Sequence, residues 1–232
     1  MLQQYAKSLL NLVYPNNCAA CGRRLVVQEN LICLHCLTSL PQSNQHLVSD
    51  NALAQRFWGQ VKIGQAAAFY RFTKNSRIQR LIHQLKYQSR TEVGVLLGEL
   101  YGQQLKKDKA FTEIDLIIPI PLHPVKQKRR GFNQSDYFAE GLANVLGVPW
   151  YSDAVIRTVY TETQTRKTST ERWKNVEAIF SVKRPELLMH KHTLLVDDLI
   201  TTGATITSCA QTILDVEQTK VSLSAIAFTS DF

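Results

Sequence analysis

The chain has 232 residues, of which 44% are hydrophobic, and its 27 Lys and Arg against 19 Asp and Glu give a formal net charge of +8. A chain of this length and hydrophobic content can bury one sizeable core, which excludes an intrinsically disordered protein. The positive charge favours anionic ligands such as phosphates or nucleic acids, and the alternative is a basic surface that only keeps the protein soluble.

Residues 1–14 carry aliphatic and aromatic side chains near helical spacing. This spacing predicts an amphipathic helix that docks on the protein itself or on a partner. No apolar run in the chain reaches the roughly 20 residues that a transmembrane helix needs. We therefore predict neither a signal peptide nor insertion into a membrane.

Two C-x₂-C pairs follow, Cys18 with Cys21 and Cys33 with Cys36. This spacing is typical of a structural zinc site, in which four thiolates close a tetrahedron and leave no position open for catalysis. Disulfides are a weaker alternative because nothing marks the chain as secreted. His35 could replace one cysteine, but four thiolates already suffice. We therefore predict a structural Zn²⁺ ion in a small zinc-ribbon or knuckle module.

A polar stretch at residues 37–50 marks the exit from this module. We therefore divide the chain into residues 1–50, with the N-terminal helix and the zinc module, and residues 51–232, a mixed α/β domain. No internal repeat and no Gly-x₄-Gly-Lys loop occurs, so hydrolysis of nucleoside triphosphates is not supported.

The α/β part begins with a predicted strand at residues 65–72 and a helix that Ser76 caps. The apolar residues of this helix form one stripe, consisting of Ile78, Leu81, Ile82 and Leu85. Its end carries Lys86, Tyr87 and Arg90, where cations either complement the helix dipole or contact an anion. A further helix is expected at residues 92–107.

Residues 115–124 form an apolar run interrupted by prolines, which predicts a buried strand. Pro119 and Pro121 cannot donate to a ladder, so pairing must end there and the chain must turn. His123 is either a structural residue of the turn or a catalyst. A basic turn and a further helix follow, and the turn contains Lys126, Lys128, Arg129, Arg130 and Gly131. Fixed cations at a strand exit suit a pyrophosphate, and the alternative is a solvated basic loop.

Residues 161–175 are polar, basic and rich in threonine, and a strand-like segment follows at residues 178–182. A segment of this kind can close over a bound substrate and keep water from a reactive sugar cation. The alternative is a plain surface hairpin.

Residues 193–205 carry the strongest functional signal. Residues 194–196 predict a buried strand, Asp197 and Asp198 follow it in a loop, and a helix begins after Gly203. Backbone N–H groups at a helix start bind phosphate, and the neighbouring threonine hydroxyls add donors. The two carboxylates suit the hydroxyls of a ribose, directly or through a hydrated Mg²⁺ ion. The sequence therefore predicts a site for a phosphorylated ribose, with a final strand at residues 221–228 behind it.

The run Val-Asp-Asp-Leu-Ile-Thr-Thr-Gly-Ala-Thr at residues 196–205 resembles the phosphoribosyl pyrophosphate (PRPP) motif of type I phosphoribosyltransferases. Four further features precede it: the four cysteines, a Leu-Lys-Tyr helix end, Pro-Ile-Pro with Arg-Arg-Gly-Phe-Asn-Gln, and Thr-Glu-Thr-Gln-Thr. Together they resemble the ComF family, also called GntX-like or amidophosphoribosyltransferase-like proteins. The resemblance implies a cytoplasmic α/β protein with a type I phosphoribosyltransferase-like, mainly parallel sheet, flanking helices, a flexible hood and an N-terminal zinc module.

The resemblance also implies roles for single residues. Asp197 and Asp198 are expected to be the catalytic pair that holds the ribose, with Mg²⁺ bound together with PRPP. The 5′-phosphate is expected at Thr201, Thr202, Gly203, Ala204 and Thr205. The pyrophosphate is expected near Arg129, Arg130 and Gly131. Residues 166–167 and 178 depart from the family pattern, which affects only the predicted flap.

We therefore predict a phosphoribosyltransferase that moves the phosphoribosyl group of PRPP to an unidentified nitrogen acceptor, with a link to DNA uptake and natural competence implied by the family. Positioning and charge stabilisation would do most of the work, without a covalent nucleophile. The alternative is a non-catalytic protein that binds single-stranded DNA or the DNA-uptake machinery through basic and aromatic residues. These residues are Arg129, Arg130, Phe132, Arg166, Lys167 and Trp173.

Overall fold

The computed structural model describes residues 16–158 and 179–229. The described strands are, in chain order, β1 (Ala66–Phe72), β2 (Leu116–Pro119), β3 (Val155–Arg157), β4 (Phe180–Val182), β5 (His192–Ile200) and β6 (Lys220–Thr229). The described α-helices are α1 (Leu34–Ser39), α2 (Ala52–Gln55), α3 (Arg77–Tyr87), α4 (Thr91–Leu105), α5 (Lys109–Thr112), α6 (Pro124–Arg130), α7 (Gln134–Leu146) and α8 (Ala204–Leu214). The helix predicted at residues 1–14 and the flap predicted at residues 161–175 lie outside the described residues.

Four strands form the main sheet in the order β1–β6–β5–β2, and each neighbouring pair is parallel. β3 and β4 form a separate antiparallel ribbon. A parallel sheet brings the carboxyl ends of its strands to one edge, where α/β proteins bind their ligands. The predicted α/β class, with a mainly parallel sheet and flanking helices, is confirmed.

Helices cover both faces of the sheet. On one face, α3, α4 and α7 pack against the zinc module, which contains Cys18, Cys21, Cys33 and Cys36. This first cluster of buried residues includes Cys36, Leu81, Leu97, Phe138, Leu194 and Val196. On the other face α2, α8 and the β3–β4 ribbon form a second cluster, which includes Leu53, Val155, Phe180, Leu195, Ile206 and Leu223. Successive residues of a strand point to opposite faces, so a strand buried on both faces is apolar throughout.

The helix that Ser76 is predicted to cap, α3, forms where the sequence predicts it. The Ser76 hydroxyl oxygen accepts a hydrogen bond from the Gln79 N–H at 3.2 Å, which caps the N-terminus of α3. The predicted stripe of Ile78, Leu81, Ile82 and Leu85 is buried. In the described part of the chain, no helix is long and apolar enough to cross a bilayer.

The prolines end β2 as predicted. Its pairing with β5 stops at Pro119 opposite Val196, and the Ile120 N–H makes a last bond to the Val196 carbonyl at 2.8 Å. β5 nevertheless continues along β6 to Ile200. The expectation that Asp197 and Asp198 lie in a loop is therefore wrong, because pairing with β6 keeps both residues within the strand.

Candidate functional site

The two carboxylates lie where β5 extends beyond the end of β2. Asp198 points toward α3, where its Oδ2 atom lies 2.6 Å from Lys86 Nζ. The Asp198 side chain is 4% exposed and the Lys86 side chain 20% exposed, so the ion pair is largely withdrawn from water. Burial disfavours the ammonium of Lys86, but the attraction of Asp198 outweighs it and raises the pKa of Lys86.

Asp197 is held by two hydrogen bonds. Its Oδ1 atom accepts one from the Ser135 hydroxyl at 3.1 Å and one from the Asp198 N–H at 2.8 Å. Burial, followed by repulsion from the neighbouring Asp198 carboxylate, raises the pKa of Asp197 to about 7. One carboxyl of the pair is thus paired with a cation, while the other titrates near neutrality.

The basic side of the site is built from α3 and α6. The guanidinium carbon of Arg130 lies 5.5 Å from the centre of the Tyr87 ring, and Arg130 also donates a hydrogen bond to Gln134. Arg130 is near enough to Lys86 to oppose its protonation. Lys86 and Tyr87, which sequence alone assigned either to the helix dipole or to an anion, therefore lie between the carboxylates and Arg130.

The basic segment after β2 is not a turn but a short helix, α6, which corrects the prediction. The Nδ1 atom of His123 accepts a hydrogen bond from the Val125 N–H at 3.2 Å, so this histidine caps the helix. Gly131 ends the helix with φ of 87°, a left-handed conformation that favours glycine. Arg129 is exposed on α6, whereas Arg130 is half-buried against Tyr87 and Gln134.

The loop after β5 leads directly into α8. Gly203 stands at the start of this helix with φ of 86°, and a Cβ atom there would lie 2.9 Å from the Phe57 ring. Glycine is therefore required both by the backbone conformation and by the close approach. The other four residues of the predicted phosphate loop are exposed and surround the N-terminus of the helix, and they are Thr201, Thr202, Ala204 and Thr205. Unpaired N–H groups at such an end favour an anion.

Sequence reasoning missed Arg56 and Ser135. Arg56 donates hydrogen bonds to the Thr201 carbonyl and, at 2.7 Å, to the Thr229 carbonyl, so it ties the phosphate loop to the end of β6. Ser135 lies in the first turn of α7 and its hydroxyl donates a hydrogen bond to Asp197. Neither residue belongs to a recognisable motif. Each acts through a contact with a distant part of the chain, which local sequence patterns do not reveal.

Arg157 at the end of β3 is a third residue that sequence reasoning missed. Its guanidinium carbon lies 5.5 Å from the centre of the Phe180 ring. Burial lowers the pKa of Arg157, and attraction to Asp197 opposes this effect. Cys209 on α8 is fully buried, and burial raises the pKa of its thiol.

The four cysteines converge, as predicted. Their sulfur atoms all lie within 4.8 Å of one another, and Cys18, Cys33 and Cys36 are buried. Burial raises the pKa of Cys33, but the Cys36 N–H and Arg23 outweigh burial and lower it to about 6, which favours the thiolate form that zinc binds. Four clustered sulfur donors fit a tetrahedral structural zinc ion, while His35 is exposed beside them.

Comparison with protein families supports this module. Residues 9–47 match a family described as a double zinc ribbon domain. DNA utilization protein YhgH of Escherichia coli (strain K12) is 32% identical over 205 residues, which cover 85% of this chain and 83% of that protein. Competence protein F of Haemophilus influenzae is 28% identical over 226 residues, which cover 94% of this chain and 93% of that protein.

Two further proteins are similar over shorter stretches. YhgH of Salmonella typhi is 35% identical over 137 residues, 58% of this chain. A solved structure, glutamine PRPP amidotransferase from B. subtilis, has a TM-score of 0.43 and 21% identity over 62% of this chain. The chain spans 60% of the Salmonella protein and 30% of the amidotransferase chain. With 32% identity across most of both chains to Escherichia coli YhgH, the chain belongs to the ComF family, which includes YhgH and competence protein F.

Proposed function

We propose that the protein binds PRPP with Mg²⁺ and transfers its phosphoribosyl group to a nitrogen acceptor. One observation carries the proposal: β5 presents Asp197 and Asp198 immediately before the open N-terminus of α8, and Lys86 lies against Asp198. The two carboxylates can accept hydrogen bonds from ribose hydroxyls, and the N-terminus of α8 can bind the 5′-phosphate. Lys86 adds a cation for the pyrophosphate.

The 5′-phosphate binds at the start of α8. Thr202 and Thr205 are exposed there, and Gly203 gives the backbone the left-handed conformation that leads into the helix. The ribose hydroxyls then lie beside Asp197 and Asp198, which stand on β5 before the phosphate loop. Arg56 stabilises this arrangement from behind by fixing the Thr201 carbonyl.

The pyrophosphate faces the cations of α3 and α6. Lys86 neutralises Asp198 through their 2.6 Å ion pair. When ligand binds, Asp198 turns to the ribose or its Mg²⁺ ion, and the ammonium of Lys86 becomes available to a phosphate oxygen. Arg130 lies next to it against Tyr87, and Arg129 with Gly131 completes the predicted pyrophosphate side.

In the transfer, the lone pair of the acceptor nitrogen forms the new bond to the anomeric carbon, and the bond from that carbon to the pyrophosphate oxygen breaks. Asp197 and Asp198 would hold Mg²⁺ through their carboxylate oxygens, and the bound ion would neutralise charge on the leaving pyrophosphate. The protein contributes fixed cations and carboxylates that stabilise positive charge on the ribose and negative charge on the leaving group. The acceptor nitrogen loses a proton as the new bond forms, and we assign Asp197, whose pKa is raised to about 7, as the base that takes it.

Calorimetric titration with PRPP and Mg²⁺ tests the site. We expect binding by the native chain and none by an Asp197→Asn, Asp198→Asn variant. A matched variant, Asp153→Asn, Asp215→Asn, removes two exposed carboxylates and keeps native affinity. Asp198→Asn also leaves Lys86 without its partner, so a second test avoids that pair. The double variant Thr202→Val, Thr205→Val in the exposed loop is expected to lose affinity for PRPP independently. Absence of binding by the folded native chain would contradict the proposal.

A second candidate function is binding of single-stranded DNA or a partner during DNA uptake. It is supported by relatives named competence protein F and DNA utilization protein, and by the net charge of +8. Among the described residues, Arg129, Arg130 and Phe132 form its basic and aromatic surface; the other predicted contacts, at residues 166, 167 and 173, lie outside the described residues.

Fluorescence anisotropy with labelled single-stranded DNA distinguishes the two functions. If the second candidate holds, affinity falls steeply with salt and survives Asp197→Asn. Arg129→Gln then weakens binding and reduces the salt slope by about 1, because one phosphate contact is lost. DNA affinity that is insensitive to both salt and Arg129→Gln contradicts this function.

A further inference from the structure

Helix α3 lies between the cysteine module and the carboxylates and contacts both. At its start, Arg77 donates to Ser39 Oγ at 2.7 Å and to Cys36 Sγ at 3.7 Å. One turn before its end, the Gln84 amide donates to the Ala19 carbonyl at 3.0 Å. Ala19 and Cys36 belong to the zinc module, so α3 is bound to that module at two levels.

The contacts to the module and to the site lie on different sides of the helix. Arg77, Arg80 and Gln84 are spaced i, i+3, i+7 and share one side, and the Arg80 guanidinium lies against Gly22 of the module. Lys86 follows Gln84 by two residues and projects about 200° away around the axis, toward Asp198. One turn of α3 therefore touches the zinc module through Gln84 and the carboxylate site through Lys86.

The remaining side of α3 is packed in the core. Ile78, Leu81, Ile82 and Leu85 lie in the same buried cluster as Ala19, Ile32, Cys33 and Cys36 of the module. Close-packed interiors deform little and transmit displacements. A change in the shape of the cysteine module must therefore move α3, and with it the ammonium of Lys86.

We infer that Arg77 and Gln84 are positioning residues, through which the zinc-loaded module holds Lys86 against Asp198. Besides ordering its own segment, the zinc module then fixes the position of Lys86, which is one of the cations of the site. The consequence for ligand affinity rests on the proposed function, but the position of Lys86 does not, so the two can be tested separately.

The accessibility of Lys86 tests the inference without any ligand. The protein is treated with limiting acetic anhydride, and mass spectrometry gives the acetylation rate of Lys86. Alkylation of Cys209, which is buried on the opposite face of the sheet, reports global opening in the same sample. Removing zinc with a chelator is expected to raise the Lys86 rate about fivefold, equivalent to about 1 kcal/mol, and to raise the Cys209 rate by a smaller factor, because zinc also contributes to global stability.

Two glutamines of α3 provide matched variants that keep zinc. Gln84→Ala removes the bond to the Ala19 carbonyl and the bond that Gln84 accepts from Arg90 at 2.9 Å, and it is expected to raise Lys86 acetylation by a similar factor. Gln79→Ala, which removes only a bond from the Asn75 N–H, is expected to leave the rate unchanged. The inference is overturned if Lys86 acetylation is insensitive to zinc and to Gln84→Ala, if Gln79→Ala acts equally, or if Cys209 alkylation rises by the same factor.

Discussion

The Lys86–Asp198 ion pair is the central interaction of the site at the scale of single residues. Two charges that leave water lose hydration free energy, and their mutual attraction offsets this loss only while both partners are present. The pair therefore adds little net stability to the fold. Removing one partner, however, costs much free energy, because the other charge then stays buried without compensation. A ligand that takes over Asp198 must offer Lys86 a new negative charge, and a pyrophosphate does so.

Lys86→Ala is expected to lower the free energy of unfolding by about 3 kcal/mol, near the lower end for breaking a buried ion pair, because Lys86 keeps some exposure. Urea denaturation measures this change. The double variant Lys86→Met, Asp198→Asn should recover much of the loss, since no uncompensated charge stays buried. Losses that simply add between the single variants Lys86→Met and Asp198→Asn would show that the two side chains are not coupled.

Asp197 predicts a dependence of stability on pH. Its pKa rises from an ordinary 3.8 to about 7 on folding, so between these values the folded chain keeps a proton that the unfolded chain has lost. This contribution to stability is fully present below the ordinary pKa and is lost as pH rises toward 7. Ligand-free protein should therefore become less stable across this window, by at most about 1.4 kcal/mol per pH unit from this group.

Urea midpoints recorded at several pH values check this prediction. Asp197→Asn should flatten the slope in the window between the two pKa values. Asp153→Asn, at a side chain that is 56% exposed, should leave the slope unchanged. Equal slopes in the native chain and in Asp197→Asn would contradict a raised pKa for Asp197.

At the scale of elements, the contact between α4 and α7 positions one wall of the site. The two helices meet at Gly98 and Gly141, and a Cβ atom at either position would overlap the backbone of the other helix, at Phe138 or Val95. This close approach fixes the start of α7, where Ser135 bonds Asp197. Glycine at the crossing thus contributes to the position of a carboxylate that it does not touch.

Gly98→Ala should destabilise the fold by about 2 kcal/mol, because backbone cannot yield as a side chain does. Gly102→Ala on the same helix is the comparison, because its Cβ atom would lie 2.9 Å from the Cβ atom of Val145 and would not overlap backbone. The intrinsic helix preference of alanine, about 1 kcal/mol, should offset part of this clash, so that change should cost less than Gly98→Ala. Thermal unfolding of the two variants compares them, and equal melting temperatures would contradict the role of the crossing.

At the scale of the whole molecule, the cysteine module shares a core with the α/β part. Cys36 and Ile32 lie in one buried cluster with Leu81 and Leu97. The division of the chain at residue 50 stays a prediction about chain organisation. The shared cluster nevertheless means that zinc binding contributes free energy to a core that extends into the sheet, because binding energy at a structural site is folding energy.

Metal content provides a prediction at this scale. The matching family is a double zinc ribbon, yet the described residues hold one cluster of four cysteines, and the fifth cysteine of the chain, Cys209, is a buried residue of α8. Elemental analysis should therefore find one zinc ion per chain. Cys36→Ser should lower both the zinc content and the melting temperature, and a content of two ions would contradict the prediction.

Local patterns of the sequence determined the elements and the motifs. Pro119 and Pro121 ended β2 because they lack N–H donors, and the spacing of the cysteines defined a zinc site, since both effects act within a few residues. The order of Asp197, Asp198 and Gly203 likewise identified the ribose and phosphate motif and, with the other motifs, the family. The extent of β5 was missed, because pairing with β6 does not depend on the local pattern.

Tertiary structure decided which residues meet the motif. Arg56 bonds Thr201 across 145 positions of the chain, and Ser135 bonds Asp197 across 62. Lys86 was ambiguous in the sequence, because a cation at a helix end satisfies the dipole wherever the helix lies. Only the packing of α3 against the zinc module and the sheet turned it toward Asp198, since the direction of a side chain depends on how its helix is rotated in the core.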